Sequence, residues 1–159
     1  MKRTATISQC QQFRYLLSRD WNDAMPRAAF IMLNPSTADA DIDDPTIRKC
    51  ITFAKNAGMG SLDVVNLFAY RATKPADMKK AGWLRGPEND AYIERAVKRA
   101  AITICAWGAN ARDLGRQAEV RALLKAWCVK PHALRLLFDG VPEHPLMLPY
   151  SCKLLELKW

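Results

Sequence analysis

Four short runs hold the side chains that could do chemistry: Asn34-Pro35-Ser36-Thr37, Asn66 with Tyr70 and Arg71 just beyond it, Trp107-Gly108 followed by Asn110, and His144-Pro145-Leu146. Each has a plain structural explanation, since Asn caps turns, Gly ends strands and a His beside Pro is commonly a capping group. An asparagine cannot act as a strong base, so a reaction built on Asn34 depends on positioning and electrostatics. Nucleophilic catalysis finds little support. Ser36 lacks the Gly-x-Ser-x-Gly elbow, no Cys is paired in sequence with a His, and Gly58-Met59-Gly60 follows a helical pattern where a phosphate-binding loop would follow a strand. A second cluster, Asp39, Asp41, Asp43 and Asp44, offers the oxygen ligands that Mg²⁺ or Mn²⁺ prefer and would suit a metal-dependent phosphoesterase or nuclease. Acidic loops are mostly solvated, however, and Asp44 has the position of a helix cap, so no metal site and no cofactor are expected.

The elements that must carry these runs follow from periodicity. Arg27 to Leu33 is apolar almost throughout, as expected of a strand covered on both faces, and Pro35, with no N–H to donate, ends its ladder. Asp44-Pro45-Thr46 has the form of a helix start. Ile47, Cys50, Ile51, Ala54 and Ala57 then mark one buried face up to Gly58 and Gly60. Leu62 to Asn66 is the next strand. A short helix is expected near Ala76 to Ala81, and a longer one opening at Gly86-Pro87-Glu88-Asn89-Asp90, with Pro in its first turn, and running to about Ala100. Ala101 to Trp107 gives a strand stopped by Gly108. A helix from about Arg112 to Trp127 is expected to turn Leu114, Ala118, Ala122 and Trp127 inward, and Leu134 to Phe138 gives a last strand. Thr4–Ile7 and Phe13–Leu17 read as a hairpin, leading through the loop Arg19 to Pro26. Strands alternating with helices imply an α/β fold, a three-layer α/β/α arrangement around a central, mostly parallel sheet. In such a sheet all four polar runs meet at the carboxyl edge, where ligands collect.

Composition sets the frame. At 159 residues the chain fits a single domain, residues 1–159, and half of it is hydrophobic, which separates it from disordered proteins. No apolar run approaches the ~20 residues that cross a bilayer, and no apolar signal segment follows Lys2-Arg3, so a cytoplasmic protein without a membrane partner is expected. Five cysteines, without a CxxC pair, and only two histidines argue for reduced, buried thiols over structural zinc. The balance of 24 basic to 16 acidic side chains, +8, favours polyanions such as nucleic acid as partners. Oligomeric state is not legible.

The runs Leu33–Asp39, Asp44–Thr46, Asn66–Thr73, Gly86–Asp90, Trp107-Gly108 and His144–Leu146 resemble, in order and over nearly the whole chain, an uncharacterised bacterial and phage family known as a domain of unknown function. The chain departs from that pattern at Leu137-Phe138, where the family has Thr-Lys, and at Trp83-Leu84-Arg85, where Asp-Pro and an aliphatic residue are expected. More distantly, the same order resembles the uracil-DNA glycosylase superfamily, with its Asn-Pro corner, its Asn-ended strand, its Trp-Gly strand end and its late His-Pro loop. That resemblance implies a glycosylase-like α/β/α fold and a protein acting on a nucleobase or nucleic acid. By it, Asn34 would position water, Asn66 would read the base edge, His144 would sit near the pyrimidine oxygen, and Leu146 or Met147 would wedge into the base stack. Pro35, Ser36, Thr37, Tyr70, Arg71, Trp107 and Gly108 would complete the binding surface. A non-catalytic nucleotide-binding module and a metal-dependent nuclease using Asp39–Asp44 are the alternatives.

Overall fold

A computed structural model describes residues 1–159. Its sheet has seven strands: β1 Lys2–Ile7, β2 Arg14–Asp20, β3 Arg27–Met32, β4 Ser61–Asn66, β5 Ile102–Cys105, β6 Pro131–Ala133 and β7 Leu155–Glu156. They lie in the order β1-β2-β4-β3-β5-β6-β7. The pairings within β4-β3-β5-β6 are parallel, and β1–β2, β2–β4 and β6–β7 are antiparallel. The sheet is therefore mixed with a parallel centre. The antiparallel flanks correct the expectation of a mostly parallel sheet: the first two strands are joined by the short loop of residues 8–13 and attach to β4 as a ready-made hairpin, which needs no crossover helix.

Four helices cover the sheet: α1 Pro45–Asn56, α2 Pro75–Lys80, α3 Asn89–Arg99 and α4 Arg116–Ala126. Side-chain alternation on β3 divides the core in two. Ala28, Phe30 and Met32 pack with Ile47, Cys50, Phe53 and Ala54 of α1. Ala29, Ile31 and Leu33 pack on the other face with Met78 of α2, Ile93 and Val97 of α3, and Val120 and Leu124 of α4. Helix α1 starts as its sequence requires, with Asp44 Oδ1 accepting from the Ile47 N–H at 2.8 Å and Pro45 in the first turn. One charged residue sits inside a fully buried strand: Asp63 of β4 accepts from Ser18 Oγ at 2.6 Å and pairs with Arg27 and Arg99, which compensates its desolvation.

Several expected boundaries move. Strand β2 runs on to Asp20 because Leu17 to Asp20 pair with Ser61 to Val64. Helix α3 begins after Pro87, with Glu88 in the cap position, so the proline lies outside its first turn. Residues Ala109–Ala111 form a separate 3-10 turn and α4 begins only at Arg116. That shift rotates the buried stripe to Arg116, Val120 and Leu124 and leaves Ala118 and Ala122 exposed. The last parallel strand is Pro131–Ala133, ahead of the apolar run Leu134–Phe138. That run bends into a local hairpin, with the Leu137 N–H on Val141 O and Phe138 turned to solvent. All five cysteines are free. Cys50 and Cys105 are buried, Cys10 and Cys128 are exposed and Cys152 is intermediate, so burial explains only two of them. No helix is long and apolar enough to cross a membrane.

Candidate functional site

Strand β3 leads through α1 to β4 on one side of it, and β4 leads through α3 to β5 on the other, so the chain changes direction across the sheet between β3 and β5. Beyond the carboxyl ends of strands at such a switch point a crevice opens. Here it is a cleft of about 460 Å³, a size suited to a small molecule or a single nucleotide unit. Asn34, Ser36, Asn66, Gly108, Asn110, His144 and Leu146 line it, so all four polar runs meet there.

Asn34 is locked by its own corner. Nδ2 donates to Pro35 O and to Ala72 O, both at 2.8 Å, which occupies both amide hydrogens and leaves Oδ1 as the free pole of the side chain. The segment beyond β4 is clipped alongside, since the Leu67 N–H donates to Met32 O, the Phe68 N–H to Leu33 O and the Ala72 N–H to Pro35 O.

Asn66 ends β4 and is 1% exposed, yet neither Oδ1 nor Nδ2 has a hydrogen-bond partner. Its backbone is held firmly. Asn89 Nδ2, at the start of α3, donates to Asn66 O at 2.8 Å and to Leu67 O at 3.1 Å, and Arg116 Nε donates to Leu67 O at 2.9 Å. The fold thus satisfies the main chain around Asn66 and leaves its amide orphaned in the cleft wall. An unsatisfied buried amide costs about 1–3 kcal/mol, and in the wall of a cleft it is open to pairing with whatever enters.

His144 caps the 3-10 turn Pro145–Met147, with Nδ1 accepting from the Leu146 N–H at 3.2 Å. The neutral ring must then carry its proton on Nε2, as a donor. Burial holds its pKa below the usual histidine value, partly opposed by the Asp44 carboxylate, so the neutral donor form prevails at pH 7. Gly108 makes this placement possible. At φ +83° and ψ 179° it occupies backbone space essentially reserved for glycine, and a Cβ there would sit 3.0 Å from His144 Cβ. Its N–H donates to Pro142 O at 2.9 Å, which docks the histidine loop on the end of β5.

The remaining expected residues divide. Trp107 touches the cleft, but its ring is core: Nε1 donates to Gln117 Oε1 at 3.1 Å and the indole stacks on Trp159. Pro35 is buried behind Asn34 and Thr37 faces solvent, so neither lines the cleft. Tyr70 and Arg71 lie in an adjoining recess with Asp77 and Lys80, which shares Ala72 and Thr73 with the cleft. In the acidic loop, Asp39 Oδ1 accepts from the N–H groups of Asp41 and Ile42, Asp43 pairs with the fully buried Arg19 at 2.7 Å and Asp44 caps α1. No three His, Cys, Asp or Glu side chains converge in the manner of a metal site.

Arg14, Asp44, Thr46 and Thr73 complete the polar lining; of these, only Asp44 was read from sequence as a site candidate, as a metal ligand, and the others escaped that reading. Arg14 reaches the cleft because β2 runs antiparallel to β4, which puts its amino end at the carboxyl edge of the parallel strands. The only sequence signal was a charged residue inside an apolar strand.

A family model described as protein of unknown function (DUF1643) matches residues 14–146. No curated protein and no solved structure gives a significant match.

Proposed function

Because the chain belongs to DUF1643, a family whose description names no activity, we propose its function from the site itself: the cleft takes a pyrimidine base of a nucleotide or nucleic acid and acts on its N-glycosidic bond, in the manner of a uracil-DNA glycosylase-like protein. One observation carries this reading. The buried amide of Asn66 offers an unpaired donor beside an unpaired acceptor, and the edge of a pyrimidine presents the complementary pair.

The other groups suit the charge changes of glycosidic cleavage. The sugar becomes oxocarbenium-like while the departing base gains negative charge. Asn34 Oδ1, its amide hydrogens occupied by Pro35 and Ala72, orients a water by accepting from it. His144 Nε2–H donates toward the base oxygen that gains charge, and the neutral ring keeps this donor in place while Nδ1 accepts from the Leu146 N–H. Leu146 at the cleft rim, 39% exposed, and Met147 beside it, 84% exposed, form an apolar edge able to enter a base stack. Arg71 and Lys80 in the adjoining recess supply positive charge for neighbouring phosphates.

One observation favours a second reading, binding without turnover: neither asparagine can take a proton, and His144 Nδ1 is already occupied. A single assay separates the two. Oligonucleotides carrying uracil, mismatches or hypermodified pyrimidines are incubated with the protein, with and without Mg²⁺, and scored for abasic sites, strand cleavage and retention. Abasic sites lost in both Asn34→Ala and His144→Ala, with unchanged circular dichroism, support glycosylase chemistry. Retention without base release supports the binding module. Full activity in both variants removes the site, and Mg²⁺-dependent strand cleavage without abasic sites transfers the function to the acidic loop.

A further inference from the structure

Three arginine side chains are almost fully buried, and two have obvious partners. Arg19 pairs with Asp43 at 2.7 Å, and Arg116 pairs with Asp90 and with Glu119. Arg14, 3% exposed, is the exception. It forms no ion pair, its one side-chain hydrogen bond runs from Nη1 to Ala38 O at 2.6 Å, and its Nε has no partner. Burial pushes its pKa down to about 10, opposed chiefly by the more distant Asp44, so it remains a cation at neutral pH.

A buried charge without a counter-ion is among the costliest arrangements a fold can hold, and it persists where a ligand supplies the missing charge. The position of the free groups indicates which ligand. With Nη1 anchored to the backbone, Nε–H and Nη2–H remain on one edge of the guanidinium plane, a fork that matches two oxygens of a phosphate or carboxylate. Arg14 lines the same cleft as the orphaned amide of Asn66. Asp44 also lines it, but its Oδ1 is engaged by the Ile47 N–H at the positive end of α1, which offsets its repulsion of an incoming anion.

We infer that Arg14 is an oxyanion subsite of the cleft, and that the ligand is a pyrimidine nucleotide whose anionic group lies on Arg14 while its base lies on Asn66. Naming the ligand a nucleotide rests on the base-binding reading above; the oxyanion subsite itself does not. Two sources supply the same chemistry, the nucleotide's phosphate and a carboxylate carried by a modified base.

Calorimetric titration of the intact protein with deoxyuridine, deoxyuridine 5′-monophosphate, 5-carboxy-deoxyuridine and inorganic phosphate tests this directly. At least one anionic nucleoside form is expected to bind about ten- to a hundredfold tighter than deoxyuridine, the contribution of a charge-assisted hydrogen-bonded pair. Which form gains identifies the source. Arg14→Gln is expected to erase the preference, and Arg14→Lys, which keeps the charge without the fork, to restore part of it. Asn66→Ala is expected to weaken all three nucleosides alike. Equal affinity of the wild type for neutral and anionic forms, a comparison that needs no variant, overturns the subsite, as does a preference that survives in a folded Arg14→Gln. Inorganic phosphate bound through Arg14 with no nucleoside bound leaves the subsite standing and ends the base-binding reading. No binding of any of the four compounds overturns both.

Discussion

Replacing Asn66 with leucine should make this protein more stable and leave it unable to bind its ligand. Leucine has the same number of side-chain heavy atoms and the same branching at Cγ, so it leaves no cavity, and its bulkier methyl groups extend toward the cleft that the side chain borders. It enters a wall that already includes Met32, Leu33 and Val64. The native side chain is 1% exposed with both polar atoms unpaired. Removing an unsatisfied buried amide returns about 1–3 kcal/mol. For a chain of this size each kcal/mol raises the melting temperature by roughly 2–4 °C. Urea denaturation of wild type and Asn66→Leu at pH 7 measures the difference, and a binding assay on the same samples measures the loss. Loss of more than about 1 kcal/mol in both Asn66→Leu and the smaller Asn66→Val would refute the reasoning, because steric excess would not account for the smaller variant and the amide would then be making bonds that hold the fold. Unchanged affinity for nucleotides would refute it independently.

Other consequences can be measured on the same footing. Gly108→Ala forces a side chain into glycine-only backbone space against His144 Cβ, so it should cost about 1–3 kcal/mol in a denaturation series and reduce binding or turnover without removing any ligand contact. His144 has a folded pKa below its ordinary value of 6.5, so folding favours the neutral ring. The associated stability is present above pH 6.5 and is lost as pH falls through the lower folded value, so the melting temperature of wild type should drop more steeply than that of His144→Gln on going from pH 7 to pH 5; parallel profiles would contradict the buried placement. Asp44→Ala removes the cap of α1 and should cost about 1 kcal/mol, whereas Asp44→Asn, which still accepts from the Ile47 N–H, should lose little of it.

The parts of this fold that were legible in the sequence are those settled by local chemistry. Asp44-Pro45 followed by apolar residues three and four apart marked α1, and the unbroken apolar run marked β3, because cap geometry and two-sided burial act over a few residues. Asn34, Asn66 and Gly108 were legible as a group because parallel strands carry their ends to one edge, whereas His144 joins them through the Gly108 N–H bond to Pro142 O at the end of β5. Arg14 was not. Its place in the cleft depends on β2 lying antiparallel to β4, a pairing between residues some 45 positions apart that no local pattern encodes. Leu134–Phe138 misled because an apolar run looks the same whether it enters a sheet or folds into a hairpin against Val141 and Pro142. The phase of α4 was lost to Leu114 and Gly115, which precede the helix and reset its periodicity. Asn89, which holds the end of β4 together with Arg116, read as part of an ordinary helix start, and Arg116 gave no signal of its own.

On this reading a nucleobase occupies the space between Asn34, Asn66 and His144. Side-chain amide resonances of the two asparagines, assigned with Asn34→Ala and Asn66→Ala and followed by nuclear magnetic resonance during titration with deoxyuridine 5′-monophosphate, test it most directly. Saturable shifts of the Asn66 amide together with those of the His144 ring are the expected result. A nucleotide that binds while leaving both signals unmoved, or one that perturbs only residues away from the ends of β3, β4 and β5, would contradict it.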